Sequence, residues 1–110
     1  MNLYLIRHGE CLGQSDPGYY TDPDSPLSTL GKKQARLIAE YFSNVELSHV
    51  TSSPLIRTLE TATPTAESSK LPIIVWTGLR EGFSNFHQGR PLSELQNIFP
   101  LAQFPNDISE

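Results

Sequence analysis

The sequence predicts an α/β domain: a three-layer α/β/α arrangement on a mostly parallel sheet. Three observations carry this. Short apolar runs of strand type occur at residues 3–6 (LYLI), around Val50 and at residues 73–76 (IIVW). Between them lie longer stretches with helical spacing of apolar residues. The resulting order of strand, helix, strand, helix, strand, loop, helix is the alternation that parallel sheets require, because each crossover carries a helix. With 110 residues the chain holds one domain, spanning 1–110, and is small for a sheet covered on both faces.

Each element has a local reason. In residues 3–6, Tyr and Ile favour a buried strand over a helix, and Gly9 breaks the run. Residues 13–26 (GQSDPGYYTDPDSP) are dense in Gly, Pro, Ser and Asp and read as a long loop, a length often associated with function. Ser28 is an N-cap candidate. Leu30, Leu37, Ile38, Tyr41 and Phe42 then recur at helical spacing through TLGKKQARLIAEYF, with Lys32, Lys33, Arg36 and Glu40 on the wet face. Ser53 followed by Pro54 reads as a cap with Pro in the first turn of a second helix. Leu55, Ile56, Leu59 and Ala62 form its buried stripe, and Pro64 is expected to kink or interrupt it. Residues 91–99 (PLSELQNIF) read as a short helix stopped at Pro100, and residues 101–110 show no clear element.

Composition narrows the functions available. The formal net charge is -4 and the sequence pI about 5.3, which argues against a nucleic-acid backbone as partner, since such binding rests on Lys and Arg clusters. No apolar run approaches a membrane span. The first ten residues lack the basic lead, long apolar stretch and cleavage site of a signal peptide. The one cysteine, Cys11, cannot form an intrachain disulfide. These features together suggest a reducing cytoplasm. There is no repeat, low-complexity tract or heptad pattern.

In an open parallel sheet, ligands bind beyond the carboxyl ends of the strands. That rule brings Arg7 and His8 to one sheet edge from the first strand, Ser52, Ser53 and Arg57 from the second, and Arg80 and Glu81 from the third. Arg57 lies near the start of its helix, where free N–H groups and the dipole also favour an anion. Two guanidiniums suit a phosphoryl group, because each offers a planar fork of donors. A neutral imidazole is a competent nucleophile towards phosphorus and would give a phosphohistidine. Glu81 is the candidate proton donor to the leaving alkoxide. The scheme requires neither metal nor cofactor.

These residues resemble the histidine phosphatase superfamily, which includes the phosphoglycerate mutases. LIRHGE is similar to the family's first-strand signature, DSPLSTLGKKQA to its PLT-x-x-G-x-x-QA segment, SSPLIRTLETA to its SSPL-x-R-x-x-x-TA helix start, and LREGFSNFHQG to its L-x-E and WEG loop. Four segments in the right order are far more specific than RHG alone. The resemblance implies His8 as the phosphorylated nucleophile, Arg7 and Arg57 as phosphate ligands and Glu81 as proton donor. Gln14 stands where many members have Asn, which places it among the phosphate ligands as well.

The departures are as informative. HQG at 87–89 replaces WEG and is expected to alter a pocket wall. The family carries a second, phosphate-binding histidine in a later HG motif, and nothing after Glu81 matches it. The chain therefore reads as the N-terminal portion of the fold. The leading expectation is a phosphomonoester hydrolase acting on a small phosphorylated substrate or a phosphoprotein. A mutase-type phosphoryl transferase and a phosphate-binding module without turnover are the alternatives. If 110 residues were the whole molecule, the bare sheet edge would favour self-association into a homo-oligomer. Glu10 is expected to orient the loop or Arg7, His49 to have no role, Cys11 to fill a small-residue position, and Tyr19 and Tyr20 to pack or gate the long loop. His87 comes from the wrong strand end to replace the absent histidine.

Overall fold

Parallel pairing organises the computed structural model, which describes residues 1–76 and 92–104. Its elements run α1 (Leu12–Ser15), a 3-10 turn (Pro17–Tyr19), α2 (Thr29–Phe42), β1 (Val50–Ser52), α3 (Ile56–Ser69), β2 (Ile73–Val75), α4 (Leu92–Ile98) and β3 (Ala102–Gln103). The sheet order is β1-β2-β3, parallel throughout, with Val50 opposite Ile73 and Ile73 opposite Ala102. Trp76 N–H extends the β1–β2 ladder by donating to the Ser52 carbonyl at 2.9 Å. The expected α/β class with a parallel sheet holds.

The core forms where α3 and α4 cover the sheet. Leu59, Ile73, Val75 and Leu95 are fully buried, joined by Ile56, Ala66, Phe99 and Ala102. Val50, Ala62 and Phe104 pack at its margin. The stripe predicted for α3 is therefore the one that is buried. Pro64 does not end this helix, which runs on to Ser69. Proline removes one ladder bond, but Thr61, Thr65 and Ala66 are buried on either side of it and hold the helix to its neighbours. Lys70 closes α3 in the left-handed region at φ 56°, and Leu71 N–H reaches back to the Ala66 carbonyl at 3.0 Å. This is a Schellman-type ending usually made by glycine.

Several expectations are corrected. Among the described residues, 3–6 pair with no strand, and Leu3, Leu5 and Ile6 are exposed. A strand exists only through its partners; Tyr4 packs edge-on to Phe42 at 5.0 Å between centroids. The loop at 13–26 is partly helical. Asp16 caps the 3-10 turn by accepting from Gly18 N–H at 2.9 Å, with Pro17 in its first position. Helix α2 starts at its predicted cap, Ser28 Oγ accepting from Gly31 N–H at 3.1 Å, but only part of the expected stripe is covered, Phe42 being buried and Ile38 half-buried. Gly31, Ala35 and Phe42 are buried, whereas Leu30, Leu37 and Tyr41 are exposed. The small residues win this face because they let the helix backbone come close to its neighbours; apolar spacing alone could not distinguish the two. Strand β3 falls in the stretch without a sequence signal. Two residues are too few to show a period, and pairing with β2 defines them.

Leu59 is the best-buried large side chain of α3. Leu59→Ala should cost about 2–5 kcal/mol, read as a lower urea midpoint at unchanged slope. A loss below about 1 kcal/mol would show that the α3–sheet interface is not the stabilising core.

Candidate active site

Among the described residues the segment after residue 6 joins no strand, making only an isolated antiparallel bridge between Cys11 and Leu27, so its other backbone polar groups need other partners. They find them on the two long helices. Gly9 N–H donates to Thr61 Oγ1 of α3 at 3.0 Å, a contact 52 residues away in sequence. Glu10 N–H donates to Gln34 Oε1 of α2 at 2.8 Å. The Glu10 carbonyl accepts from Ser28 N–H at 2.9 Å, and its carboxylate accepts from Ser28 Oγ at 2.7 Å. Glu10 thus ties the loop to the start of α2, one of the two roles anticipated for it.

Two glycines make this approach sterically feasible. A Cβ on Gly31 would lie 1.9 Å from the Glu10 carbonyl oxygen, and one on Gly9 would lie 2.8 Å from the Gly31 carbonyl oxygen. Both obstacles are backbone atoms, which cannot swing aside as a side chain can.

His8 is half-buried at this junction, with Nδ1 2.7 Å from the Gly9 carbonyl oxygen. A carbonyl only accepts, so Nδ1 carries the proton and the lone pair of the neutral ring sits on Nε2. Arg57 occupies the first turn of α3, one turn before Thr61. Thr61 Oγ1 donates to the Arg57 carbonyl at 2.7 Å while accepting from Gly9. One hydroxyl therefore links the backbone next to His8 with that of Arg57.

The start of α3 differs from the sequence reading. Ser53 does not cap the helix; its hydroxyl pairs with Thr58 Oγ1 at 2.7 Å. The cap comes from the long loop, where buried Asp24 accepts from Ile56 N–H through Oδ1 at 2.8 Å. Arg57 Nη1 donates to the Pro23 carbonyl at 3.2 Å, and Glu60 Oε1 accepts from Leu27 N–H at 2.7 Å. A carboxylate from the chain itself thus holds the helix end that the sequence offered to an outside anion.

The other predicted residues are less drawn together. Arg7 is exposed. Gln14 is exposed and directs its carbonyl to Cys11 N–H at 3.0 Å, closing the first turn of α1, so its amino group is what it has to offer an anion. Cys11 is buried, which fits a small-residue position. Tyr19 and Tyr20 are exposed on the loop. His49 is exposed, with Nδ1 3.1 Å from Ser48 Oγ. Glu81, Arg80, His87 and the HQG segment lie outside the described residues. Among the described residues no three His, Cys, Asp or Glu side chains gather as metal ligands, and no helix is long and apolar enough to cross a membrane.

Sequence reasoning missed Asp24, Gln34, Glu60 and Thr61. Gln34 and Thr61 lie inside the quoted motifs, in QA and TA, and that position was the available signal. Asp24 and Glu60 also fall within the quoted segments, but at positions that the family patterns PLT-x-x-G-x-x-QA and SSPL-x-R-x-x-x-TA do not specify, so they carried no signal.

Gly31→Ala sets two effects against each other. Alanine gains about 1 kcal/mol of helix propensity over glycine, while forcing a methyl against backbone typically costs about 1–3 kcal/mol. At 1.9 Å from the Glu10 oxygen the clash should win. Urea unfolding should show net destabilisation, and a more stable Gly31→Ala protein would refute the close approach.

Residues 3–104 match the family model of the histidine phosphatase superfamily, branch 1. The probable phosphoglycerate mutase GpmB of Yersinia pestis (strain Pestoides F) is 35% identical over 95 residues, covering 86% of this chain and 44% of that protein. A mycobacterial glucosyl-3-phosphoglycerate phosphatase solved with inorganic phosphate superposes with a TM-score of 0.60 at 30% identity, over 86% of this chain and 43% of that one. The ecdysone phosphate phosphatase of Bombix mori, solved with tungstate, has a TM-score of 0.59 at 24% identity, over 98% of this chain and 46% of that one, and supports the fold. The chain spans less than half the length of these relatives.

Proposed function

Since the chain belongs to the histidine phosphatase superfamily, branch 1, we propose that it supplies the nucleophile and part of the phosphate clamp for phosphomonoester hydrolysis. One observation carries the reading. His8 is held with Nδ1–H on a backbone carbonyl, which leaves Nε2 as the nucleophilic atom, and the same backbone is tied to the helix turn that bears Arg57.

In this reading Nε2 attacks phosphorus and the P–O ester bond breaks. The leaving alkoxide takes a proton, a role assigned to Glu81 from its sequence position. Water then attacks the phosphohistidine, its proton passes to the Glu81 carboxylate, and inorganic phosphate leaves with His8 restored. Arg57, with Arg7 and the Gln14 amino group, stabilises the phosphoryl oxygens during transfer. The substrate is a phosphorylated small molecule or phosphoprotein. The solved relative named as a phosphatase, in complex with inorganic phosphate, supports hydrolysis. The relative named as a probable mutase supports a second reading, in which the phosphoryl group returns to substrate instead of water. The step at His8 is common to both.

Incubation with a reactive phosphoryl donor, followed by intact mass measurement in alkali, tests the reading. One phosphoryl group should be added, and none in His8→Ala. Arg57→Ala should slow labelling by about 10²-fold, the scale of losing a donor to the transferring oxygens. A folded protein that takes up no phosphoryl group would reject catalysis by this chain and leave the phosphate-binding module.

A further inference from the structure

We infer that Gln34 is a positioning residue for His8 and acts through a single peptide unit. Its consequence for phosphoryl transfer rests on the proposed function, but the geometry stands without it. The carbonyl that accepts from His8 Nδ1 belongs to the Gly9–Glu10 peptide. The N–H of that same peptide donates to Gln34 Oε1 at 2.8 Å. The peptide is planar and trans, so its C=O and N–H point in opposite directions. Fixing one end therefore aims the other. Gln34 holds the N–H, and the carbonyl is thereby directed at the imidazole.

Glycine makes this hold necessary. Gly9 must lack a Cβ because the Gly31 carbonyl is too close, and glycine has the widest choice of backbone angles. Without external ties the peptides on either side of Gly9 would be the easiest in the segment to rotate. Both are tied, the one before Gly9 by Thr61 at 3.0 Å and the one after it by Gln34.

A purely structural role for Gln34 would duplicate existing contacts. Ser28 already joins Glu10 to α2 through both backbone and side chain, and Leu12 N–H is bonded to the Pro26 carbonyl at 2.8 Å. What Gln34 adds is the direction of one peptide plane. Phosphorylation at Nε2 makes Nδ1–H a stronger donor, so a carbonyl aimed at it gains strength in the transition state.

The test compares Gln34→Met, which keeps length and helix propensity but loses the acceptor, with Gln34→Glu, which retains an oxygen at the same reach. The His8 tautomer is read from ¹⁵N ring shifts, the labelling rate from intact mass, and folding from urea titration. Gln34→Met should show mixed His8 tautomers and label more than about tenfold more slowly. Gln34→Glu should restore the Nδ1–H form and a rate within about threefold of the parent. If Gln34→Met keeps the parent's tautomer and rate while folded, the inference is wrong. Should that variant fail to fold, Gln34→Asn, which withdraws the acceptor while staying polar, takes its place with the same two outcomes. Absence of labelling in the parent would overturn the proposed function, while the tautomer comparison would still decide the role of Gln34.

Discussion

The structure around His8 depends on one steric constraint: the backbone at Gly9 and Glu10 lies against the backbone of α2 at Gly31. A Cβ on Gly31 would come within 1.9 Å of the Glu10 oxygen. At that separation no rotamer change or small shift makes room. Once this contact is made, Ser28 and Gln34, on the first turns of the same helix, fall within hydrogen-bond reach of Glu10. Ala35, one turn beyond Gly31, becomes buried. The exposure of Leu30, Leu37 and Tyr41 follows from the same contact, since a helix that presents its small residues inward must present its larger ones elsewhere.

The second organising feature is the use of side chains to satisfy backbone donors. Gly9, Glu10, Cys11, Gly13, Gly18, Leu27 and Ile56 each donate a backbone N–H to a side-chain oxygen. A loop without a sheet ladder would otherwise leave these groups to water or orphaned. Each such bond contributes about 1 kcal/mol net, but a buried donor left unpaired costs about 1–3 kcal/mol. The asymmetry explains why Asp24 and Gln34 matter more than their bond count suggests. It also gives the motif residues around His8 a shared task, with Gln34 and Thr61 both holding backbone N–H groups beside it.

That arrangement bears on what this chain can do. The backbone beside His8 and that of Arg57 are joined through Thr61, within the span shared with the relatives. The relatives are about twice as long, and no HG motif follows Glu81 in this sequence. The step at His8 that we propose draws on residues within this shared span.

The sequence by itself determined the α/β class, the positions of α2, α3, β1, β2 and α4, the Ser28 cap and the family. These rest on short-range physics: apolar period, cap chemistry and motif spacing are all readable within about a dozen residues. It also nominated His8, Arg7, Arg57, Gln14 and Glu81 as site residues from motif identity and expected strand ends, the first of which does not form among the described residues. Tertiary structure decided which side of α2 is buried, that residues 3–6 lack a strand partner among the described residues, that β3 exists, and that Asp24 rather than Ser53 caps α3. It also decided that Gln34 and Thr61 aim the backbone beside His8. In each case the deciding atoms are far apart in sequence or belong to the backbone, and neither local spacing nor residue type records which backbone group a side chain will meet.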